Sequence, residues 1–210
     1  MSILLASLAG GLFVSDVTAV GQIMISRPIF CAPVLGWLLG DIETGIYIGM
    51  IMELIWIAVV PLGNAVPPDP TVVAISGTYI VCMTGDRLGT GYIAFVLLCL
   101  VPAGILFKKI DVLHRKLNIR LVYWMDDRIS KGDIGSVDRA TLIGVAAFFL
   151  KAAFFLFIIM LIGQFLLPFV YNGFGPGIRK AMENVFFIMP VVGLGMLINT
   201  FKPGRSRRKS

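Results

Sequence analysis

Three polar side chains lie close together in an otherwise apolar part of the sequence. Glu53 stands in the run GMIMELIWI, and Asn64 and Asp69 follow in the stretch GNAVPPDP at 63–70. A carboxylate accepts hydrogen bonds, and an amide both accepts and donates them. Such groups beside a broken backbone suit a ligand rich in hydroxyls, such as a sugar. The alternative for Glu53 is a buried structural pair, and for Asp69 a cap of its own backbone.

Two further charged residues stand alone in apolar runs. They are Asp16 and Lys151, and either could extend to the membrane interface or pair across helices. His114 is the single histidine of the chain and lies among basic residues. A role for it as a phosphoryl acceptor is conceivable, but we expect a solvated or interfacial loop residue.

The sequence contains no motif for nucleotide, cofactor or metal chemistry. A Walker loop, a dinucleotide fingerprint and HExxH are all absent from it. The three cysteines lack CxxC or metal-ligand spacing, so we expect them to pack as small hydrophobic side chains. They are Cys31, Cys82 and Cys99. We therefore predict no catalytic residue, no cofactor and no metal.

The composition indicates a polytopic membrane protein. The 210 residues are 58% hydrophobic and 14% charged, with a mean hydropathy of +0.92, whereas soluble domains are about 25% charged. A spanning helix needs roughly 20 apolar residues. We predict an all-α protein of transmembrane helices with re-entrant hairpins. The apolar runs behind this prediction are 3–25, 28–40, 42–62, 71–84, 90–107, 141–167 and 184–200.

Two of these runs, 28–40 and 71–84, are too short for a full crossing and suggest re-entrant or broken helices. The stretch 63–70 must interrupt the helix before it. Proline removes a backbone donor, and it pushes the residue before it to extended geometry. The first basic residue is Arg27, so we expect no cleaved leader and a retained first run.

Basic residues cluster at two places, which sets the expected orientation. Eight of the 18 Lys and Arg lie in 108–139 and five in 202–210, and the positive-inside rule places both in the cytoplasm. The net charge of +6 thus reflects topology, and a nucleic-acid partner is not expected.

Apolar residues at helical spacing within 108–140 predict an amphipathic helix that lies at the membrane interface or docks on a partner. They are Ile110, Leu113, Leu117, Leu121 and Trp124.

These features divide the chain into four regions. We expect an N-terminal membrane region with sugar-site hairpins at 1–107 and a cytoplasmic amphipathic loop at 108–140. C-terminal membrane helices then follow at 141–201, and a basic cytoplasmic tail at 202–210.

A longer pattern runs from residue 26 to residue 70. It reads SRPIFCAPVLGWLLGDIETGIYIGMIMELIWIAVVPLGNAVPPDP and resembles the IIC membrane component of the mannose–fructose–sorbose family of phosphotransferase-system sugar transporters. The matching residues are Arg27-Pro28, Leu39-Gly40-Asp41, Thr44-Gly45-Ile46, Ile48-Gly49, Glu53, Gly63, Ala65-Val66 and Pro68-Asp69. The similarity continues more weakly to about residue 201.

This resemblance implies a function and a set of partners. A IIC subunit carries a hexose or amino sugar across the bacterial cytoplasmic (inner) membrane together with a IID membrane subunit. Cytoplasmic IIA and IIB proteins phosphorylate the sugar, so the chain itself would be a transport subunit and not an enzyme. The resemblance further implies a trimer of IIC–IID units in the lipid bilayer.

The family likeness also assigns the sugar site. It implies that Glu53, Asn64 and Asp69 line this site, with Gln22 as a further candidate. The alternative to transport is a truncated, non-transporting membrane scaffold that binds partner subunits, because family members usually continue beyond the basic tail at 202–210.

Overall fold

The computed structural model describes residues 1–19, 21–56, 68–84 and 89–201. Within these ranges the chain forms seven α-helices and no strand. The helices are α1 (Ile3–Asp16), α2 (Pro28–Leu39), α3 (Ile42–Trp56), α4 (Pro70–Thr84), α5 (Gly89–Ser130), α6 (Ser136–Asn172) and α7 (Pro176–Phe201). The predicted all-α fold is confirmed.

The helices differ in whether they can cross a membrane. Three are long and apolar enough to do so, namely α5, α6 and α7 up to Ile198. The apolar helices α1, α2 and α4 have 14, 12 and 15 residues, which is short of the roughly 20 that a crossing needs. The runs 28–40 and 71–84 are therefore short helices, as their length predicted.

Two expectations from the apolar runs are wrong. The run 3–25 does not form one helix, because α1 ends at Asp16. The stretch 108–140 is not a loop over its whole length either, because α5 passes through residue 108 without a break and reaches Ser130, which confirms the helix expected within this stretch. The connection to α6 comprises only 131–135. At about 1.5 Å per residue, the 42 residues of α5 extend roughly 63 Å.

Helix α4 is the centre of the bundle. Every residue from Thr71 to Val81 is buried, and the helix packs against α2, α3, α5 and α6. A helix that is apolar on all sides is expected inside a protein core or a membrane. Because α4 is buried, its N-terminal end and the preceding residue Asp69 lie in the interior of the bundle.

Helices α2 and α3 form a tight antiparallel hairpin. Gly40 closes α2 in the left-handed conformation at φ +89°, which glycine adopts without steric cost. The Asp41 carboxylate then accepts a hydrogen bond from the Thr44 N–H at 3.0 Å and caps α3. Glycines in α3 permit close approach, because a Cβ at Gly45 would lie 2.5 Å from the Ala32 carbonyl oxygen. A Cβ at Gly49 would lie 2.7 Å from the Pro28 carbonyl oxygen.

Replacing Gly45 with alanine is expected to separate α2 from α3. The new methyl group meets backbone, which cannot rotate away, so we expect the free energy of unfolding to fall by about 1–3 kcal/mol. Gly195→Ala is the matched control, because Gly195 is also helical but no atom lies within 4 Å of a Cβ there. Thermal unfolding of both variants in detergent measures the effect. Equal melting temperatures for the two variants would contradict the tight hairpin.

Candidate functional site

Glu53 lies against the N-terminal end of α2. Its Oε1 pairs with the Arg27 guanidinium at 3.2 Å, and the Glu53 side chain is 11% exposed. Its Oε2 accepts a long hydrogen bond of 3.5 Å from the Ile29 N–H. A negative charge is stabilised there by the helix dipole. A carboxylate has about four acceptor positions, so about two remain for a ligand.

Asp69 caps α4, and more of its acceptor positions are engaged than those of Glu53. Its Oδ1 accepts hydrogen bonds from the N–H groups of Thr71 at 3.0 Å and Val72 at 3.4 Å. Its Oδ2 lies 3.4 Å from Lys108 Nζ, and the Asp69 side chain is 6% exposed. Three of about four acceptor positions are therefore engaged within the protein. The structure leaves Glu53 the freer of the two carboxylates.

The loop before α2 joins these two helix ends. The Thr71 hydroxyl donates to the Ser26 carbonyl at 2.8 Å, and Arg27, the next residue, pairs with Glu53. The two predicted carboxylates thus belong to one region around the start of α2.

Asp16 shapes the same loop from the end of α1. Its carboxylate accepts hydrogen bonds from the Ile23 N–H at 2.9 Å, the Ser26 N–H at 3.3 Å and the Ser26 hydroxyl at 3.1 Å. Asp16 is 5% exposed. It therefore neither extends to the interface nor pairs across helices, and the expectation for it was wrong. Its role is to fold the chain back between α1 and α2.

The other two predicted ligands have different positions. Gln22 lies in the loop before α2 with an exposed side chain and a left-handed backbone at φ +52°, a conformation that non-glycine residues adopt only at a cost. Met24 repeats this at φ +65°. Asn64 lies outside the described residues, so its placement relative to Glu53 stays a prediction.

A chain of charges leads from Asp69 along α5. Lys108 contacts Asp69, and one turn later Asp111 accepts from Lys151 Nζ of α6 at 2.7 Å. Asp111 also pairs with Arg115 at 3.1 Å. Lys151 therefore forms an ion pair between helices, which was one of its two expected roles.

Replacing Lys108 with methionine is expected to destabilise the start of α4. The Asp69 carboxylate would stay buried with one compensating partner fewer, at a cost of about 2–3 kcal/mol in the free energy of unfolding. Lys109→Met is the matched control, since Lys109 is exposed. Chemical denaturation of both variants checks the difference. If Lys108→Met unfolded like the control, Asp69 would not depend on Lys108.

Sequence reasoning missed three members of this region. Arg27 was recognised as part of a pattern but given no role, and Ser26 and Lys108 were not considered. The signal for Arg27 was available, because Arg27 and Glu53 belong to the same sequence pattern and carry opposite charges. Lys108 gave no comparable signal, because it is one of eight basic residues in 108–139.

The described part of the chain offers no metal centre. No group of three or more His, Cys, Asp or Glu side chains is placed to hold an ion within it. What the start of α2 offers instead is the Glu53 carboxylate, whose remaining acceptor positions can take hydrogen bonds from a polar ligand.

Comparison with known proteins places residues 1–203 in one family. The family profile described as the PTS system sorbose-specific IIC component matches residues 1–203. A fructose permease IIC component of Bacillus subtilis (strain 168) is 24% identical over 192 residues, which are 90% of this chain and 70% of that protein. The mannose-specific EIIC component of Escherichia coli (strain K12) is 23% identical over 87% of this chain and 67% of that protein.

A shorter match has higher identity. A protein of Escherichia coli (strain K12), named among the N-acetylgalactosamine permease IIC components, is 38% identical over 67 residues. This match spans 32% of the present chain and half the length of that relative.

Solved structures share the fold. One described as a membrane protein superposes with a TM-score of 0.75 at 20% identity, covering 96% of this chain and 78% of the other. The mannose transporter ManYZ, in its complex with microcin E492, gives a TM-score of 0.63 at 19% identity with the same coverage.

Proposed function

The chain belongs to the IIC components of the mannose–fructose–sorbose family of the phosphotransferase system, and from that premise we propose that it binds a hexose or amino sugar and carries it across the membrane. IIC components are integral membrane subunits that work with other subunits of this system. They are transport subunits, not enzymes. Binding and translocation are therefore the steps that this chain would perform.

The observation that carries the proposal is the Glu53 carboxylate. It is nearly enclosed, held in one orientation by Arg27, and keeps about two acceptor positions free. Sugar hydroxyls are suitable donors for those positions. Water removal around the site would strengthen such hydrogen bonds, because their strength rises in a medium of low dielectric constant.

The named relatives support the substrate class. Their names include fructose, mannose and N-acetylgalactosamine. All three are monosaccharides with several hydroxyl groups, so a carboxylate that accepts hydrogen bonds from two hydroxyls is compatible with each of them. In this proposal Asp69 and Gln22 contribute further contacts, and Asn64 completes the set.

The assembly is part of the proposal. A IID membrane subunit would pair with this chain, and cytoplasmic IIA and IIB proteins would phosphorylate the sugar as it arrives. We propose a trimer of IIC–IID units in the bacterial cytoplasmic membrane. The basic cluster in 108–139 supports a cytoplasmic location of the α5–α6 connection.

A binding panel with the purified chain tests the proposal. Radiolabelled mannose, fructose, sorbose and N-acetylgalactosamine are offered to the folded protein with and without its IID partner, and a disaccharide serves as control. Saturable binding of one monosaccharide, competed by the same unlabelled sugar, is expected. Folded and assembled protein that bound none of the sugars would overturn the proposal.

A further inference from the structure

A cavity of about 360 Å³ lies apart from the start of α2, between α5, the N-terminal half of α6 and the residues after α1. Its polar wall is formed by Thr18, Asp111, His114, Arg115, Asn118 and Thr141. Its apolar wall includes Leu121, Met125, Val145 and Phe148. The cavity is therefore amphipathic, with polar groups on one side and a hydrocarbon surface on the other.

The acid of the polar wall has two basic partners, only one of which lines the cavity. Asp111 is the one acid that lines the cavity, and both Arg115 and Lys151 bind it, at 3.1 Å and 2.7 Å. Lys108 on the same helix pairs instead with Asp69. Lys151 does not line the cavity, so the one positive charge that the acid and its two bases leave uncompensated reaches the cavity at Arg115.

Arg115 is placed to present that charge. Only its Nε binds Asp111, and a guanidinium has five N–H donors in a planar fork that fits the oxygens of a phosphate. The Arg115 side chain is 60% exposed. Asn118 Nδ2 lies one turn further along α5, 3.4 Å from His114 Nε2, and offers a second donor group.

Small residues of α6 open the apolar side. Ala140 and Gly144 lie one turn apart on α6 and both line the cavity. A Cβ at Gly144 would meet only the Leu121 side chain, at 3.9 Å. The groove thus continues from the polar groups along Leu121 and Val145, at the end of the bundle where basic residues cluster.

We propose that this cavity binds an anionic phospholipid, with the phosphate at Arg115 and Asn118 and an acyl chain along the groove at Gly144. Basic pockets between membrane helices recognise anionic headgroups by this chemistry. A soluble phosphate would satisfy the polar wall but leave the apolar wall uncovered. The inference does not depend on sugar transport.

Native mass spectrometry of the purified full chain tests this proposal. The probes are phosphatidylglycerol, phosphatidylcholine, glycerol 3-phosphate and inorganic phosphate. Phosphatidylglycerol is expected to bind at least about tenfold more tightly than phosphatidylcholine, because only it keeps a net negative charge. Equal affinity for both lipids would overturn the proposal, and so would binding of the soluble phosphates as tight as that of the lipid.

Three variants assign the binding to this cavity. Arg115→Gln is expected to weaken phosphatidylglycerol binding about tenfold, and Gly144→Leu to reduce binding of both lipids by filling the groove. Arg120→Gln is the control, because Arg120 is an exposed basic residue of α5 outside the cavity. If Arg115→Gln bound the lipid like Arg120→Gln, the proposed site would be wrong, whether or not Gly144→Leu folds.

Discussion

Replacing Glu53 with glutamine is expected to weaken sugar binding by roughly 10- to 150-fold, the range for losing one hydrogen bond to a charged group. Glutamine has the same size and can still accept from the Ile29 N–H, so the start of α2 should keep its shape. It has one carbonyl oxygen in place of two carboxylate oxygens, and Arg27 loses its ion pair. Equilibrium binding of the sugar found in the panel measures the loss.

Glu43→Gln is the control for this variant. Glu43 lies in the first turn of the same helix and is exposed, so the same chemical change there should leave the affinity unaltered. A folded Glu53→Gln protein with normal affinity would contradict the assignment of Glu53 as a ligand.

The second large effect is expected at the pair between α5 and α6. The Asp111 side chain is 2% exposed and that of Lys151 13%, and the Lys151 ammonium lies 4.0 Å from the centre of the Phe148 ring. Asp111→Asn would leave this ammonium in apolar surroundings without its counterion. The free energy of unfolding should fall by about 3–5 kcal/mol, as for other broken buried pairs.

Removal of both charges should restore much of that stability. The double variant Asp111→Leu, Lys151→Met replaces the pair with apolar side chains, which is often neutral or stabilising. Asp127→Asn is the control, because the Asp127–Lys131 pair is exposed and should change stability by at most about 1 kcal/mol. Unfolding curves of the three proteins give the comparison. A double variant as unstable as Asp111→Asn alone would show that packing, not charge, holds this position.

Two hairpin contacts could be predicted from the sequence by symmetry. Gly40 marks the turn between α2 and α3, and Arg27 and Glu53 are 13 residues before and after it. Helices of equal rise on either side of a turn bring such residues opposite each other. In the α5–α6 hairpin, Asp111 and Lys151 are each 20 residues from Lys131, the first residue of the 131–135 connection. The position of a turn and the rise of the helices beside it therefore predict contacts that the apolar runs alone do not.

Other tertiary contacts were not predictable in this way. Lys108 meets Asp69 across 39 positions, and nothing in the sequence separates Lys108 from the seven other basic residues of 108–139. The sequence indicated that Asp16 is a charge within the membrane, because it is the one charged residue of the run 3–25. Its carboxylate instead accepts hydrogen bonds from three donors of the following loop. Hydropathy detects the apolar run. It does not show that the chain reverses direction after Asp16, because most of the groups that donate hydrogen bonds to Asp16 are backbone N–H groups, which every residue except proline carries.

Phosphoenolpyruvate-dependent phosphorylation of a sugar panel tests the central claim most directly. The assay uses membranes that contain this chain together with its IIA, IIB and IID partners, compared with membranes lacking only this chain. We predict phosphorylation of one sugar that requires the chain and is lost with Glu53→Gln but kept with Glu43→Gln. Assembled complexes that phosphorylated no sugar, or did so equally without this chain, would contradict the account.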